Sequence, residues 1–258
     1  MSARALTFVA LEGLPEIHPG DDLVSLMLDA AQRDAGFGVL NDGDVIVLAQ
    51  KIVSKSEDRF VALASVEPSA EAQVLATTCR KDPRLVELVL RESSEIVRVA
   101  PNVLIARHRL GFVVANAAID QSNVPGGEAR ALLLPLDPDA SARRVVDAVY
   151  ERIGVRVAVL IADSFGRPWR QGVCGVCVGC AGLESLVDLR GQADREGRSL
   201  QVTQLAIADQ LCAGASIVLG EASEGTPLVR VRGVPASYLR TSRGARELVR
   251  PIGEDLFR

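Results

Sequence analysis

The apolar positions of the chain predict several strands before any other property is considered. Short runs rich in β-branched residues predict strands at residues 6–11, 45–49 and 155–162. The stretch 96–115 predicts a β-meander, because turn signals divide its apolar runs. The run 155–162 ends abruptly in polar residues, which marks its carboxyl end as a position of interest.

Other segments carry apolar residues at helical spacing. They predict helices at residues 22–34, 140–153 and 203–215, and Thr203 is a suitable N-cap for the last. Residues 57–91 are predicted to be rich in helix, with prolines at boundaries. Strands and helices alternate too irregularly for a simple doubly wound sheet. The pattern therefore predicts a mixed α/β (α+β) fold.

Composition narrows the class of protein. The 258 residues are 48% hydrophobic, which is enough for one large core or two modest ones. The net charge is −4 and the pI is about 5.4, so we expect no nucleic-acid partner. No segment approaches the roughly 20 apolar residues of a membrane span. Glu12 interrupts the N-terminal apolar run too early for a signal peptide, so we expect a cytoplasmic protein.

The richest polar cluster follows the predicted strand 155–162. Asp163 and Ser164 offer oxygen ligands for a hard cation such as Mg²⁺ or Mn²⁺. Arg167 and Arg170, on either side of the only Trp, suit phosphate or carboxylate because a guanidinium binds both bidentately. A polar turn, with arginines that pair with structural carboxylates, is the alternative interpretation.

A second cluster has complementary chemistry. Asp120 and Asn123 follow an apolar run and precede a Pro-Gly-Gly turn. Their oxygens could serve a metal or a nucleotide, or they could only satisfy turn amides. The common phosphate loops are absent from the sequence, since neither G-x-x-x-x-G-K-[ST] nor a strand-linked G-x-G-x-x-G occurs. His18 and His108 lie near no candidate nucleophile, and we expect both to be surface or loop residues.

Three cysteines form the spacing C-x-x-C-x-x-C. Cys174, Cys177 and Cys180 could hold zinc or an iron–sulfur cluster, or act as redox-sensitive thiols. The flanking residues are small and apolar, so we favour buried hydrophobic thiols. On a regular strand Cys174 and Cys180 would share one face and Cys177 would point the other way.

Taken together, these clusters resemble the coenzyme F(420)-0:L-glutamate ligase family. The resemblance runs in consistent order from about residue 8 to the last residue. Its motifs are Leu14-Pro15-Glu16-Ile17, residues 43–55, Ala118-Ile119-Asp120-Gln121-Ser122-Asn123, residues 163–170, residues 202–209, residues 220–227 and the tail 248–258. The resemblance implies a single intertwined α/β domain over residues 1–258 that forms a homodimer, without a C-terminal nitroreductase-like domain.

The resemblance also implies a set of site residues. A guanine nucleotide would be held by Leu14, Pro15, Glu16, Ile17, Gln50, Lys51, Lys55, Asn123, Gly220, Ala222, Ser223, Glu224, Gly225 and Thr226. Two divalent cations would be held by Asp120, Asp163, Ser164 and Glu221, and a potassium ion is also implied. Family members usually carry Thr at the position of Ser164 and often Gln at that of Glu221. The second difference puts the metal preference in doubt more than the activity.

The implied reaction is GTP-dependent amide formation between F(420)-0 and L-glutamate through an acyl phosphate, with Arg167 and Arg170 binding phosphate or substrate carboxylates. Such catalysis is mainly positioning and charge stabilisation, which agrees with a site lacking a Ser-His or Cys-His pair. Two alternatives stay open on the sequence. One is a paralogue that amidates another carboxylate, and the other is a metal- or redox-binding homologue without turnover.

Overall fold

A computed structural model describes residues 5–240 and 243–255. The helices of this part are α1 (Leu23–Arg33), α2 (Gln50–Ser56), α3 (Ala70–Cys79), α4 (Pro83–Glu92), α5 (Pro138–Ile153) and α6 (Ile207–Leu219). Its strands are β1 (Thr7–Ala10), β2 (Val45–Ala49), β3 (Phe60–Ala62), β4 (Ser93–Ala100), β5 (Val103–His108), β6 (Val113–Ala115), β7 (Arg130–Leu132), β8 (Ala158–Arg167), β9 (Arg170–Ala181), β10 (Val187–Asp188), β11 (Gln204–Leu205) and β12 (Leu228–Arg232). The mixed α/β class predicted from the sequence is confirmed. No helix in the described ranges is long and apolar enough to cross a membrane.

The largest sheet has the strand order β1-β12-β2-β8-β9. Strands β2 and β8 are parallel, and the other neighbours are antiparallel. This single parallel pair explains why the sequence did not fit a doubly wound pattern. Strand β2 is buried from Val45 to Leu48, as a strand with neighbours on both sides and helices on both faces requires.

Helices cover both faces of this sheet, and two glycines in β9 allow the approach. A Cβ at Gly175 would collide with the Cys212 carbonyl of α6. A Cβ at Gly179 would collide with Pro138, at the start of α5. Each helix therefore packs directly on strand backbone, and any larger residue at either glycine would push the helix away.

The sequence predicts the start of α1 correctly and the start of α6 wrongly. Asp22 caps α1 by accepting hydrogen bonds from the amides of Val24 and Ser25, and the helix has the predicted position. The prediction that Thr203 is the N-cap of the later helix is wrong, because α6 begins only at Ile207. The residues just after Thr203 instead pair with β10 as strand β11.

A second hydrophobic cluster lies beside the main one. Helices α3 and α4 pack there against the sheet β4-β5-β6, which is the predicted meander, and near the pair β3-β7. Buried residues of this cluster include Val86, Val89, Leu104 and Ala131.

An ion cluster lies at one end of this meander. The expectation that His108 is a surface residue is wrong, because its side chain is fully buried at the end of β5 and contacts Glu92 at 3.3 Å. Arg59 and Arg109 contact the same carboxylate at 3.4 and 3.2 Å. Burial acts to raise the pKa of Glu92, but the contacts with His108, Arg109 and Arg59 outweigh it and hold the pKa at about 2. His18 is exposed, as expected.

Strand β8 does not end where its apolar run ends. Its last pairing with β2 joins Ala162 to Ala49, yet β8 continues to Arg167 through its pairing with β9. The polar cluster of Asp163 and Ser164 is therefore strand and not turn, which corrects the interpretation from polarity alone. Beyond Ala49 the chain turns into α2, so within the described ranges one edge of β8 after Ala162 has no strand neighbour.

A bulge in β9 changes the predicted arrangement of the cysteines. Gly179 pairs with Ile161 and Cys177 with Ala162, so Val178 is an extra residue. Cys177 and Cys180 consequently share one face, and Cys174 lies on the other. Cys177 and Cys180 are buried, as favoured, and Cys174 is half-buried. Burial raises the pKa of the Cys177 thiol, which also interacts with the thiols of Cys180 and Cys212.

Candidate active site

A cavity of about 820 Å³ opens at the carboxyl ends of the parallel strands β2 and β8. This is where α/β sheets usually bind their ligands. It lies beside the free edge of β8, and three loop segments complete its walls. The predicted nucleotide and metal residues that line it are Leu14, Pro15, Glu16, Ile17, Gln50, Lys51, Lys55, Asp120, Asn123, Asp163, Ser164, Gly220, Glu221, Ala222, Ser223, Glu224, Gly225 and Thr226. Five segments far apart in sequence thus meet in one place.

Asp120 uses one carboxylate oxygen as a turn acceptor and presents the other to a lysine at the cavity. One carboxylate oxygen accepts hydrogen bonds from the amide and hydroxyl of Ser122, at 2.8 and 2.7 Å, as in an Asx turn. The other lies 2.8 Å from Nζ of Lys51, which also donates to the Ser122 hydroxyl at 2.9 Å. Asp120 is therefore fixed in position, and Lys51 is its counter-ion.

Asp163 has a different environment. It is half-buried on β8 and accepts a hydrogen bond from the Ser164 amide at 2.9 Å. Burial raises the pKa of Asp163 to about 7, and the like charges of Asp120 and Glu221 add to that effect more than Lys51 offsets it. Ser164 donates its hydroxyl to Glu221 at 2.6 Å. Three carboxylates thus face one cavity with too little positive charge among them.

Two polar residues of α2, one at its start and one in its last turn, are buried. Lys55 is only 7% exposed, so it is not the solvated surface lysine that a lone lysine would suggest. Its ammonium pairs with Glu16 at 2.5 Å. Gln50 is also buried, and its Oε1 accepts from Ser54 while its Nε2 finds no partner in the described residues. A buried amide donor without a partner is costly.

The loop after α6 forms the opposite wall. Thr226 donates to the carbonyl oxygens of Val218 and Leu219 and so ties this loop to the end of α6. Asn123 donates to the Ala222 carbonyl at 3.2 Å, which joins the two loops across the cavity mouth. Gly220 has a φ of +74°, which favours glycine there.

Two predicted residues lie elsewhere. Arg167 and Arg170 are exposed at the tip of the β8–β9 hairpin, beside Trp169, and do not line the cavity. Their predicted role, which is to bind phosphate or the carboxylates of a substrate, stays a prediction. The two arginines are close to Asp163 in sequence but not in space, because each residue of an extended strand adds about 3.3 Å.

Sequence reasoning missed some of the lining. Ser122 contacts both Lys51 and Asp120, and its place inside the polar motif could have revealed it. Val173, Gly175 and Ser216 also line the cavity, but no local signal distinguishes them from core residues.

The carboxylates suit cations as a donor set without forming a complete shell. Among the described residues, no three His, Cys, Asp or Glu side chains lie close enough together to hold a metal ion on their own. This holds for the cysteines of β9 as well as for the cavity. The raised pKa of Asp163 is nevertheless the mark of a carboxylate that a cation would stabilise.

The fold and cavity define a mixed α/β protein with one large polar cleft built on the ends of a parallel strand pair. The chain belongs to the F420-0:Gamma-glutamyl ligase family, whose model matches residues 13–233. It is 45% identical to a coenzyme F420:L-glutamate ligase of Methanothermobacter thermautotrophicus over 98% of this chain and 99% of the other. Proteins of the same description from Methanopyrus kandleri and Methanocaldococcus jannaschii are 43% and 41% identical, over 94% and 99% of this chain and 94% and 98% of theirs. The family resemblance drawn from the motifs is confirmed.

Proposed function

We propose that this chain is a GTP-dependent ligase that joins L-glutamate to F(420)-0 through a γ-glutamyl-type amide bond. The observation that carries the proposal is the convergence of both predicted residue sets, nucleotide and metal, on one cavity at the strand ends. Family membership supports the same substrate pair, since the relatives are named for that reaction.

The chemistry explains why a nucleotide is needed. A carboxylate cannot release oxide, so its oxygen first takes the γ-phosphoryl group of GTP, which gives an acyl phosphate and GDP. The α-amine of glutamate then attacks the acyl carbon, phosphate leaves with the bonding electrons, and the amine gives up a proton. Such steps require charge stabilisation and positioning more than covalent catalysis by the protein.

The cavity supplies suitable groups for a triphosphate. Lys51 and Lys55 are its cations, each paired with a carboxylate that a bound phosphate or a metal could displace. Gln50 lines the same space, and its Nε2 has no hydrogen-bond partner among the described residues. The loop of Gly220 and Ala222 to Thr226 together with the segment Leu14 to Ile17 would enclose the nucleoside.

The carboxylates would hold two divalent cations, Mn²⁺ or Mg²⁺, together with phosphate oxygens. Asp120 and Asp163 would bind the first, and Ser164 with Glu221 would bind the second. When bound, the metals neutralise phosphate charge and orient the transferred group. A potassium ion is part of the same proposal, as is a homodimer.

The direct test is mass spectrometry of F(420)-0 incubated with purified protein, L-glutamate, GTP and Mn²⁺ or Mg²⁺. We expect increments of one glutamyl residue that require GTP and disappear in Asp163→Asn. Asp147→Asn, an exposed aspartate on α5, is the matched control and should retain activity. GTP binding without any increment would instead favour a paralogue with another carboxylate acceptor. The absence of both would reject the ligase.

A further inference from the structure

A second, smaller cavity of about 270 Å³ lies along the outer edge of strand β9. Its walls come from the β5–β6 turn, strands β8 and β9, the start of α6 and the segment 248–250. The residues that give it chemical character are Arg107, Phe112, Phe165, Asp209 and Arg250. We call it the hairpin-edge cavity. The proposed nucleotide and metal residues all lie in the larger cavity, so this space has no assigned role.

The two cavities meet on the β8–β9 hairpin. Asp163 lines the larger cavity, and Val176, its direct partner in the antiparallel register, lines the hairpin-edge cavity. Paired residues of antiparallel strands have Cα atoms about 4.5–5.5 Å apart. Phe165 follows Asp163 by two residues and therefore lies on the same face of β8. The two cavities therefore share the β8–β9 hairpin as a common wall.

Asp209 supplies an unneutralised negative charge. One of its oxygens accepts a hydrogen bond from the Cys177 amide at 2.9 Å, which fixes the side chain against β9. No cationic side chain in residues 5–240 or 243–255 contacts this carboxylate. Burial raises the pKa of Asp209, as expected for a carboxylate that lacks a counter-ion.

Arg250 supplies the complementary positive charge. Its guanidinium forms no ion pair within the described part of the chain, and it is exposed at the cavity wall. The second arginine, Arg107, is different, because it is buried and its charge is balanced by Glu95 at 3.3 Å and Asp255 at 3.8 Å. Within the described residues, the cavity therefore presents the cation of Arg250 and the anion of Asp209 without ion-pair partners.

This combination selects a class of ligand. A zwitterion has an ammonium for a carboxylate and a carboxylate for a guanidinium. Phe112 and Phe165, whose rings meet edge to face at 6.0 Å, offer an apolar wall for methylene groups. The volume lies just below the range of about 300–1,000 Å³ for drug-sized ligands. An amino acid fits that space better than a nucleotide or a fused ring system.

We propose that the hairpin-edge cavity binds the amino-acid substrate, L-glutamate, with Asp209 contacting its ammonium group and Arg250 one of its carboxylates. This inference rests on the proposed ligase function and adds a location for the second substrate. It places the amine beside the hairpin that carries Asp163, where the proposed acyl phosphate would form.

The test compares Asp209→Asn and Arg250→Gln with the wild type in ligation assays where L-glutamate is varied at saturating GTP and F(420)-0. Asn retains an oxygen for the Cys177 amide and removes only the charge. We expect the KM for glutamate to rise about 10- to 100-fold in each, as for a lost hydrogen bond to a charged group. The KM for GTP and for F(420)-0 should stay unchanged. Arg246→Gln, an exposed arginine outside the cavity, is the matched control.

The outcomes separate this inference from the proposed function. A wild type that does not ligate glutamate rejects the function itself. A wild type that ligates, with an unchanged glutamate KM in both variants, overturns the cavity assignment and leaves the function standing. An increase confined to the KM for F(420)-0 overturns it as well, because it makes this the acceptor site. If Asp209→Asn unfolds, Arg250→Gln decides alone, since its side chain is exposed.

Discussion

Two groups of charged residues in this molecule each surround a partly buried carboxylate, and they shift its pKa in opposite directions. Around Glu92, two arginines and a histidine surround one carboxylate, and its pKa is held at about 2. Around Asp163, two further carboxylates outnumber one lysine, and the pKa is raised to about 7. Burial disfavours the charged form in both places, so the neighbours make the difference. In the first group the carboxylate has its counter-ions within the chain, whereas in the second the described residues leave an excess of negative charge, which the proposed divalent cations would balance.

The largest expected effect comes from removing the carboxylate at the centre of the second group. Asp163→Asn should lower kcat for ligation at least about 100-fold, as when a preorganised charge-stabilising group is lost. The folded protein without metal should not lose stability. Because the folded pKa of Asp163 lies above 3.8, its ionisation opposes folding, and the penalty grows as the pH rises from 3.8 to about 7.

Thermal melts of the metal-free protein check the stability part. Asp163→Asn should melt higher than the wild type at pH 8 and equally at pH 4. A variant that melts lower at pH 8 would show that Asp163 already has its counter-ion within the chain, and the contrast between the two groups would fail.

The next effect is on stability at the first group. Glu92→Gln leaves Arg59, Arg109 and His108 without their shared carboxylate, and we expect a loss of about 3 kcal/mol in the free energy of unfolding. Since the folded pKa of Glu92 is depressed, its stabilisation is present above 4.5 and is lost as the pH falls towards 2. Urea titrations should show that the free energies of unfolding of the wild type and the variant differ less at pH 3 than at pH 7. GTP binding should be the same in both proteins.

A smaller effect is expected on the pH dependence of cation binding at the larger cavity. Cation binding to Asp163 must displace a proton below about pH 7. The Kd for Mn²⁺ should therefore weaken by up to about tenfold per pH unit as the pH falls from 7 to 5. Calorimetry in two buffers of different ionisation enthalpy would detect the released proton. An affinity that is flat over this range would contradict the raised pKa.

The smallest effect is expected from Glu221→Gln. It removes one of the two like charges that raise the pKa of Asp163 and leaves an oxygen for the Ser164 hydroxyl. We expect the pH midpoint of Mn²⁺ binding to move lower with activity largely retained. A loss of activity as large as that of Asp163→Asn would make Glu221 an indispensable ligand.

The sequence predicted those features that depend on local chemistry. Strand β2 has the predicted bounds, and α1 lies within the predicted range 22–34. The motifs also identified the segments that meet in the larger cavity. That convergence itself came from the family resemblance, because periodicity cannot bring residues 14, 120 and 221 together.

The wrong predictions have a common cause, because the local sequence does not specify which segments pair or pack together. Polarity suggested that β8 ends before Asp163, but pairing with β9 extends it to Arg167. The same extension removes Arg167 and Arg170 from the cavity. Contacts between segments that are separated in sequence likewise bury His108 beside Glu92 and pair the residues after Thr203 with β10. The tail motif is only partly testable, because residues 256–258 lie outside the described part.

The extra residue in β9 has a further consequence. Gly175 and Gly179 are four positions apart, so on a regular strand with no bulge between them they would open the same side of the sheet. The extra residue shifts the alternation by half a period, so that one glycine admits α6 and the other α5. A deletion of Val178 would therefore remove the one residue of this segment that has no partner in β8, and the pairs on both sides of it would keep their register. Gly175 and Gly179 would then be three positions apart and still open opposite sides of the sheet, so both α5 and α6 would keep their packing on the strand.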